Sequence, residues 1–167
     1  MTVSELRSDL RQSRQQLFDA LRGLGEEQFR HTPGDEAWSI AAHLWHLLRV
    51  ERLFSARAAA ALTEDEPPIA STRAANDDDP GLAQRLAVPQ VIHGLQATRR
   101  ELDGLLARCS NRDLERAIVH ERIGRMTIAG IAAKMAEHES EHAALIAGLA
   151  RQAPVQGRVI IPLTRRS

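Results

Sequence analysis

Two histidines, His138 and His142, stand four residues apart in a stretch whose apolar residues recur with helical spacing. At that separation both side chains lie on one helix face, a single turn apart. The face is the apolar one: Ile128, Ile131, Met135, His138, His142, Leu145 and Leu149 alternate in steps of three and four. Two imidazoles turned into a helical core supply half of a metal site. The plain alternative is a pair of core histidines satisfied by hydrogen bonds or by each other. Two histidines at this spacing, where apolar side chains would serve packing better, tip the reading toward metal.

A third ligand is expected from another helix. An earlier periodic stretch offers His43 and His46, three apart and so roughly 60° apart around the axis. His43 continues the stripe of Leu47, Val50 and Phe54, while His46 lies at its edge, and periodicity does not choose between them. Of the seven histidines, the remaining three, His31, His93 and His120, sit in or near polar contexts and read as surface or loop residues.

The segment His138-Glu139-Ser140-Glu141-His142 also matches H-E-x-x-H, the zinc peptidase helix with glutamate as base. The longer metzincin pattern fails, because Leu145 stands where its glycine belongs and Gly148 where its third histidine belongs. No acidic residue follows Glu141 to act as a downstream ligand. The pattern of the chain also shows no sheet whose edge would bind a peptide, so a peptidase is not expected.

Four segments must position these groups, and helices are expected at about 3–23, 39–62, 89–109 and 127–150. Thr2 or Ser4 suits the first N-cap, Ser39 the second and Thr127 the fourth, and Pro89 suits the first turn of the third. Steps of three and four sustained in several helices predict an all-α four-helix bundle with shallow crossing angles. Residues 63–88, with Pro67, Pro68, Asp77, Asp78, Asp79 and Pro80, form a link long enough to cross the bundle. Short helical turns fit 26–29 and 110–115, and Ile118–Met126 reads as loop or extended chain. A C-terminal arm, 152–167, carries Val155, Val159, Ile160 and Ile161 and suits packing on the body or on a second copy. The whole of 1–167 reads as one domain.

Composition narrows the function. The 167 residues hold 22 basic against 22 acidic side chains, so no cationic excess is available to displace counterions from nucleic acid or an anionic membrane. Aromatic residues are only 3% and tyrosine is absent, which disfavours a stacking platform for single strands. One cysteine, Cys109, excludes an intrachain disulfide or a multi-cysteine metal site, and it falls on the apolar stripe of the third helix as a core residue. No apolar run has the length of a bilayer span, and the first residues lack a signal-peptide core, so a cytoplasmic location is expected.

Larger patterns carry a family resemblance. Trp38-Ser39-Ile40, then His46-Leu47 and Glu51, is similar to the second-helix signature of the DinB/YfiT-like superfamily. Gly124-Arg125-Met126-Thr127-Ile128, with Ala136-Glu137-His138 and His142, resembles its fourth-helix signature. Ala61-Leu62-Thr63-Glu64-Asp65-Glu66-Pro67 is similar to the linker of several relatives, so the resemblance spans most of 1–150. It implies a four-helix bundle with a mirror variant of up-and-down topology, often dimeric, holding a divalent metal by three histidines. The family ligands then fall on His46, His138 and His142, and His43 becomes a residue behind the ligands or in the core. One departure is the pair Leu48 and Arg49, which stand where relatives often carry an acidic residue near the first ligand.

Three imidazoles plus solvent leave an open position, the arrangement of catalytic rather than structural zinc. Such a site serves hydrolysis, through a bound water, or thiol transfer to a small electrophile, the activity of relatives that use low-molecular-weight thiols such as bacillithiol or mycothiol. Zinc and nickel both suit three nitrogens. The competing reading is a non-catalytic metal- or ligand-binding bundle of the stress-response kind, which a fourth protein ligand would favour. Glu139 and Glu141 project to the sides of the histidine face and read as solvated groups or as partners of an imidazole N–H. Glu51 is a candidate for a structural role near the site. Arg49 and Arg52 read as a solvated face that could attract a carboxylate.

Overall fold

The computed structural model describes residues 1–34, 37–71 and 85–153. Its helices are α1 (Val3–Leu21), α2 (Glu26–Arg30), α3 (Ile40–Thr63), α4 (Val88–Ala107) and α5 (Ile128–Gln152). Their starts follow from local chemistry. The Thr2 hydroxyl accepts from the Glu5 amide while the Glu5 carboxylate accepts from the Thr2 amide, a reciprocal capping box on α1. Ser39 and Thr127 cap α3 and α5 by accepting from the amides of Ala42 and Gly130. Pro89 occupies the first turn of α4. The first helix ends two residues before the expected Gly23, which holds φ of 77° in the turn that follows.

Helix directions can be read from two buried clusters. At one end, Leu6 and Leu10 of α1 pack with Ala58 and Ala61 of α3, Leu102 and Leu106 of α4, and Ile128, Ile131 and Met135 of α5. At the other, Leu17 and Leu21 meet Ile40 and Leu44, Val91 and Leu95, and Ala143 and Ile146. Helices α1 and α5 therefore run one way and α3 and α4 the other. The neighbouring pairs are α1 with α5, α5 with α3, α3 with α4, and α4 with α1. This is a four-helix bundle in which successive long helices α1 and α3 sit diagonally, as do α4 and α5. Because α3 and α4 are parallel neighbours, the chain must travel back along the bundle between them, which explains the long link. Residues 72–84 of that link, and 154–167 of the C-terminal arm, lie outside the described residues.

The sequence pattern shows no sheet, and here the structure corrects it. Strand β2 (Ala117–His120) pairs antiparallel with β3 (Gly124–Thr127) and parallel with the short β1 (Pro68–Ile69). Four-residue and two-residue strands are too short to register as alternation; backbone pairing alone makes them strands. Gly124, at φ of 83°, takes the left-handed conformation where β3 leaves the hairpin turn. Arg116 anchors the sheet to the bundle by donating to the carbonyls of Ala61 and Glu64 at the C-terminal end of α3. No described helix is long and apolar enough to cross a membrane.

Candidate metal centre

Between the two apolar clusters each long helix contributes polar residues, and they sort into two groups. One is a closed ring of charges. Arg14 of α1 donates to Glu51 of α3 at 2.7 Å and to Glu139 of α5 at 2.6 Å. Arg99 of α4 donates to the same two carboxylates, at 2.6 Å and 2.9 Å. The Ser13 and Thr98 hydroxyls donate to Glu139 and Glu51. Arg14 also donates to the Leu95 carbonyl and Arg99 to the Leu10 carbonyl. Both carboxylates are only 2% exposed. Two guanidinium cations thus balance two carboxylate anions inside the bundle, with good hydrogen bonding, the condition under which buried charge is tolerable.

This ring revises the reading of Glu139. It is neither solvated nor a partner of an imidazole; it turns toward α1 and α4 and ties α5 to both. Glu141, by contrast, is exposed. Glu51, a candidate for a structural role, sits in the ring that links α3 to α1 and α4. Leu48 packs against α4 so closely that a Cβ on Gly94 would stand 2.9 Å from its Cδ2. The apolar departure at position 48 therefore serves the α3–α4 contact and does not line the cavity described below.

The second group lies on the seam of α3 and α5, where His46, His138 and His142 bring one ligand nitrogen each within 4.8 Å of one another. Nε2 of His46 is 3.3 Å from Nε2 of His138. The ring centroids of His138 and His142 are 4.5 Å apart, and those of His46 and His142, nearly parallel, 5.1 Å. Tetrahedral zinc with Zn–N near 2.0–2.1 Å requires ligand nitrogens roughly 3.3–3.4 Å apart, so the His46–His138 separation suits a cation between them. No carboxylate joins the three among the described residues.

His43 plays a different part. Its Nδ1 is 2.9 Å from Nδ1 of His142, leaving Nε2 of His142 as the nitrogen for a cation. Burial, with His46 nearby, pushes the His43 pKa down to about 4. Burial, followed by His138, His43 and His46, pushes His142 down to about 3. His138 is lowered too, by burial and then by His46. His43 and His142 are therefore neutral near pH 7, the form in which an imidazole can ligate metal. The Trp38 ring packs against this group, its centroid 5.2 Å from that of His43 and 5.1 Å from that of His46.

A cavity of about 460 Å³ adjoins the histidine cluster, lined by His46 and His138 together with Val50, Phe54, Arg57 and His120 among others. His120 corrects the surface reading: it is 6% exposed at the end of β2. Nothing local signals this, because its burial comes from strand pairing. His93 is exposed and His31 half-buried. Arg52 is exposed and Arg49 half-buried, and neither lines the cavity. Cys109 is half-buried just beyond α4, and burial raises its thiol pKa.

Fold and site together define a four-helix bundle with a three-histidine cluster open to a cavity. The DinB superfamily profile matches residues 9–146, and the chain belongs to that superfamily. Among solved structures, it is similar to YfiT from Bacillus subtilis, described as a probable metal-dependent hydrolase with an unusual four-helix bundle topology. The TM-score is 0.75 at 18% identity, over 90% of this chain and 86% of that one. TT2238, a four-helix bundle protein, matches with a TM-score of 0.64 at 19% identity, over 88% of this chain and 99% of that one. No curated protein matches the chain significantly in sequence.

Proposed function

We propose that the chain is a metal-dependent hydrolase of small molecules, with His46, His138 and His142 as ligands of a divalent cation, zinc or nickel. The observation that carries this reading is the 3.3 Å separation of the His46 and His138 nitrogens beside His142, with no fourth protein donor in the cluster among the described residues. Three ligands and an open position suit catalysis rather than a closed structural site. The description of YfiT as a probable metal-dependent hydrolase agrees with it. When bound, the cation supplies Lewis acidity, which lowers the pKa of a water, or of a thiol cosubstrate, toward neutrality.

The chain's own residues do the rest. His43 fixes the ring of His142 through Nδ1 and so keeps its other nitrogen directed to the ligand position. The ring of Arg14, Glu51, Arg99 and Glu139 fixes the two helices that carry the ligands. Trp38 covers the imidazoles with an apolar surface and limits water around them. The cavity beside His46 and His138 holds the substrate.

The test is a screen of zinc- and nickel-loaded protein against esters and amides, with low-molecular-weight thiols plus electrophiles as the parallel arm. Hydrolysis that is lost in His46→Ala and His138→Ala supports the proposal. Turnover only in the thiol arm replaces hydrolysis with thiol transfer at the same site. No turnover in either arm by fully loaded protein leaves the non-catalytic reading.

A further inference from the structure

Among the described residues three arginines are buried in the bundle: Arg14, Arg57 and Arg99. Two of them are neutralised in the ring of charges, each facing both Glu51 and Glu139. Arg57 is not. It is 7% exposed, forms no ion pair among the described residues, and its Nε finds no hydrogen-bond partner. Among the described residues its guanidinium packs over the Phe54 ring, 5.7 Å from Cζ to centroid. A guanidinium stays charged at any ordinary pH, and burying it without a counter-charge is costly. Burial accordingly lowers its pKa.

The residue lines the same cavity as His46 and His138. On α3 it follows His46 by eleven residues, roughly 16 Å along the axis. Its long side chain, tilted toward the helix N-terminus, shortens that gap. A second donor stands in the same cavity. Nδ1 of His120 accepts from the amides of Arg122 and Ile123, at 3.2 Å and 3.3 Å. That fixes the tautomer and leaves Nε2–H as the donor the ring can offer. Between Arg57 and the histidine ligands the wall is apolar, formed by Val50, Leu53 and Phe54.

We infer that Arg57, assisted by His120, is the anchor for an oxyanion, and that the substrate is a small, largely apolar molecule ending in a carboxylate or phosphate group. The anion binds at Arg57 and the apolar body lies along α3. The opposite end reaches the three-histidine cluster. The inference deepens the hydrolase reading and rests on it only in taking this cavity as the substrate pocket. A guanidinium pairs with carboxylate and phosphate alike through two parallel N–H donors.

The test titrates 4-phenylbutyrate, phenyl phosphate and the uncharged 4-phenylbutyramide into the full chain. Both metal-free and zinc-loaded protein are used, with binding followed by calorimetry and by the ¹⁵N shift of the Arg57 Nε–H. In metal-free wild type the better oxyanion binds about tenfold tighter than the amide and shifts the Arg57 resonance, and the tighter of the two names the head group. Arg57→Gln abolishes the preference, and Arg57→Lys keeps part of it. Equal binding of oxyanions and amide by wild type overturns the inference, with no need of a folded variant. A preference seen only with zinc, and unchanged in Arg57→Gln, places the anion on the metal; the inference then falls while the metal site stands. A preference at Arg57 in a protein that takes up no zinc supports the anchor while the metal reading fails.

Discussion

Nδ1 of His43 lies 2.9 Å from Nδ1 of His142, so one of the two must donate and the other accept. With a cation on Nε2 of His142, the proton sits on Nδ1 of His142, and neutral His43 accepts it. The contact thus would select the tautomer and orientation of the proposed ligand His142 without supplying a ligand itself. Partners of this kind typically tune metal affinity by about 10–100-fold. His43→Ala is therefore expected to retain a full complement of metal at saturation but to bind it about 10–100-fold more weakly. Competition with a chromogenic chelator measures the difference, and an unchanged affinity would remove His43 from the account.

Removing one member of the charge ring strands the others. Arg14→Met leaves Glu51 and Glu139, both 2% exposed, sharing a single guanidinium. Breaking a buried ion pair from one side costs about 3–5 kcal/mol. The expected result in urea unfolding is a marked fall in midpoint at unchanged slope. The double change Arg14→Met with Glu139→Met, which restores charge balance, should recover part of the loss. Equal stability of Arg14→Met and wild type would show that the ring holds nothing together.

A surface pair should show the opposite economy and a pH signature. Arg7 donates to both oxygens of Asp103, each at 2.7 Å, linking α1 to α4. This bonding, against a smaller opposing effect of burial, holds the Asp103 carboxyl below its ordinary range. Because the folded pKa is the lower one, the unfolded chain binds the proton more readily. The pair's contribution is thus present above the unfolded value near 3.9 and fades as pH falls through the folded value. Asp103→Asn should lower the melting temperature slightly at pH 7, with the gap closing toward pH 3 and shrinking in high salt. A gap that widened in acid would contradict this assignment.

The long helices were legible because each carries an apolar stripe and three of them have an unambiguous capping or first-turn residue, at Ser39, Pro89 and Thr127. The pair His138 and His142 was legible for the same reason, since imidazoles on an apolar stripe stand out. Periodicity could not separate His43 from His46, whose positions differ by only roughly 60°; family resemblance pointed to His46, and the structure places it in the cluster. Glu139 was misread because a glutamate's ordinary surroundings are solvent, and its counter-charges, Arg14 and Arg99, come from two other helices. His120 was missed because strands of two and four residues leave no periodic trace. Nothing in the sequence singles out Arg57 in a helix rich in alanine and arginine, and only the packing shows it buried without an ion pair among the described residues.

The central claim is tested most directly by metal content, measured by elemental mass spectrometry on untagged wild type beside His46→Ala, His138→Ala and His43→Ala. The account predicts close to one divalent ion per chain in wild type and in metal-saturated His43→Ala, and its loss from His46→Ala and His138→Ala. No metal in any sample even after reconstitution, or full retention in His46→Ala, would contradict it and leave a helical bundle whose histidines serve its core.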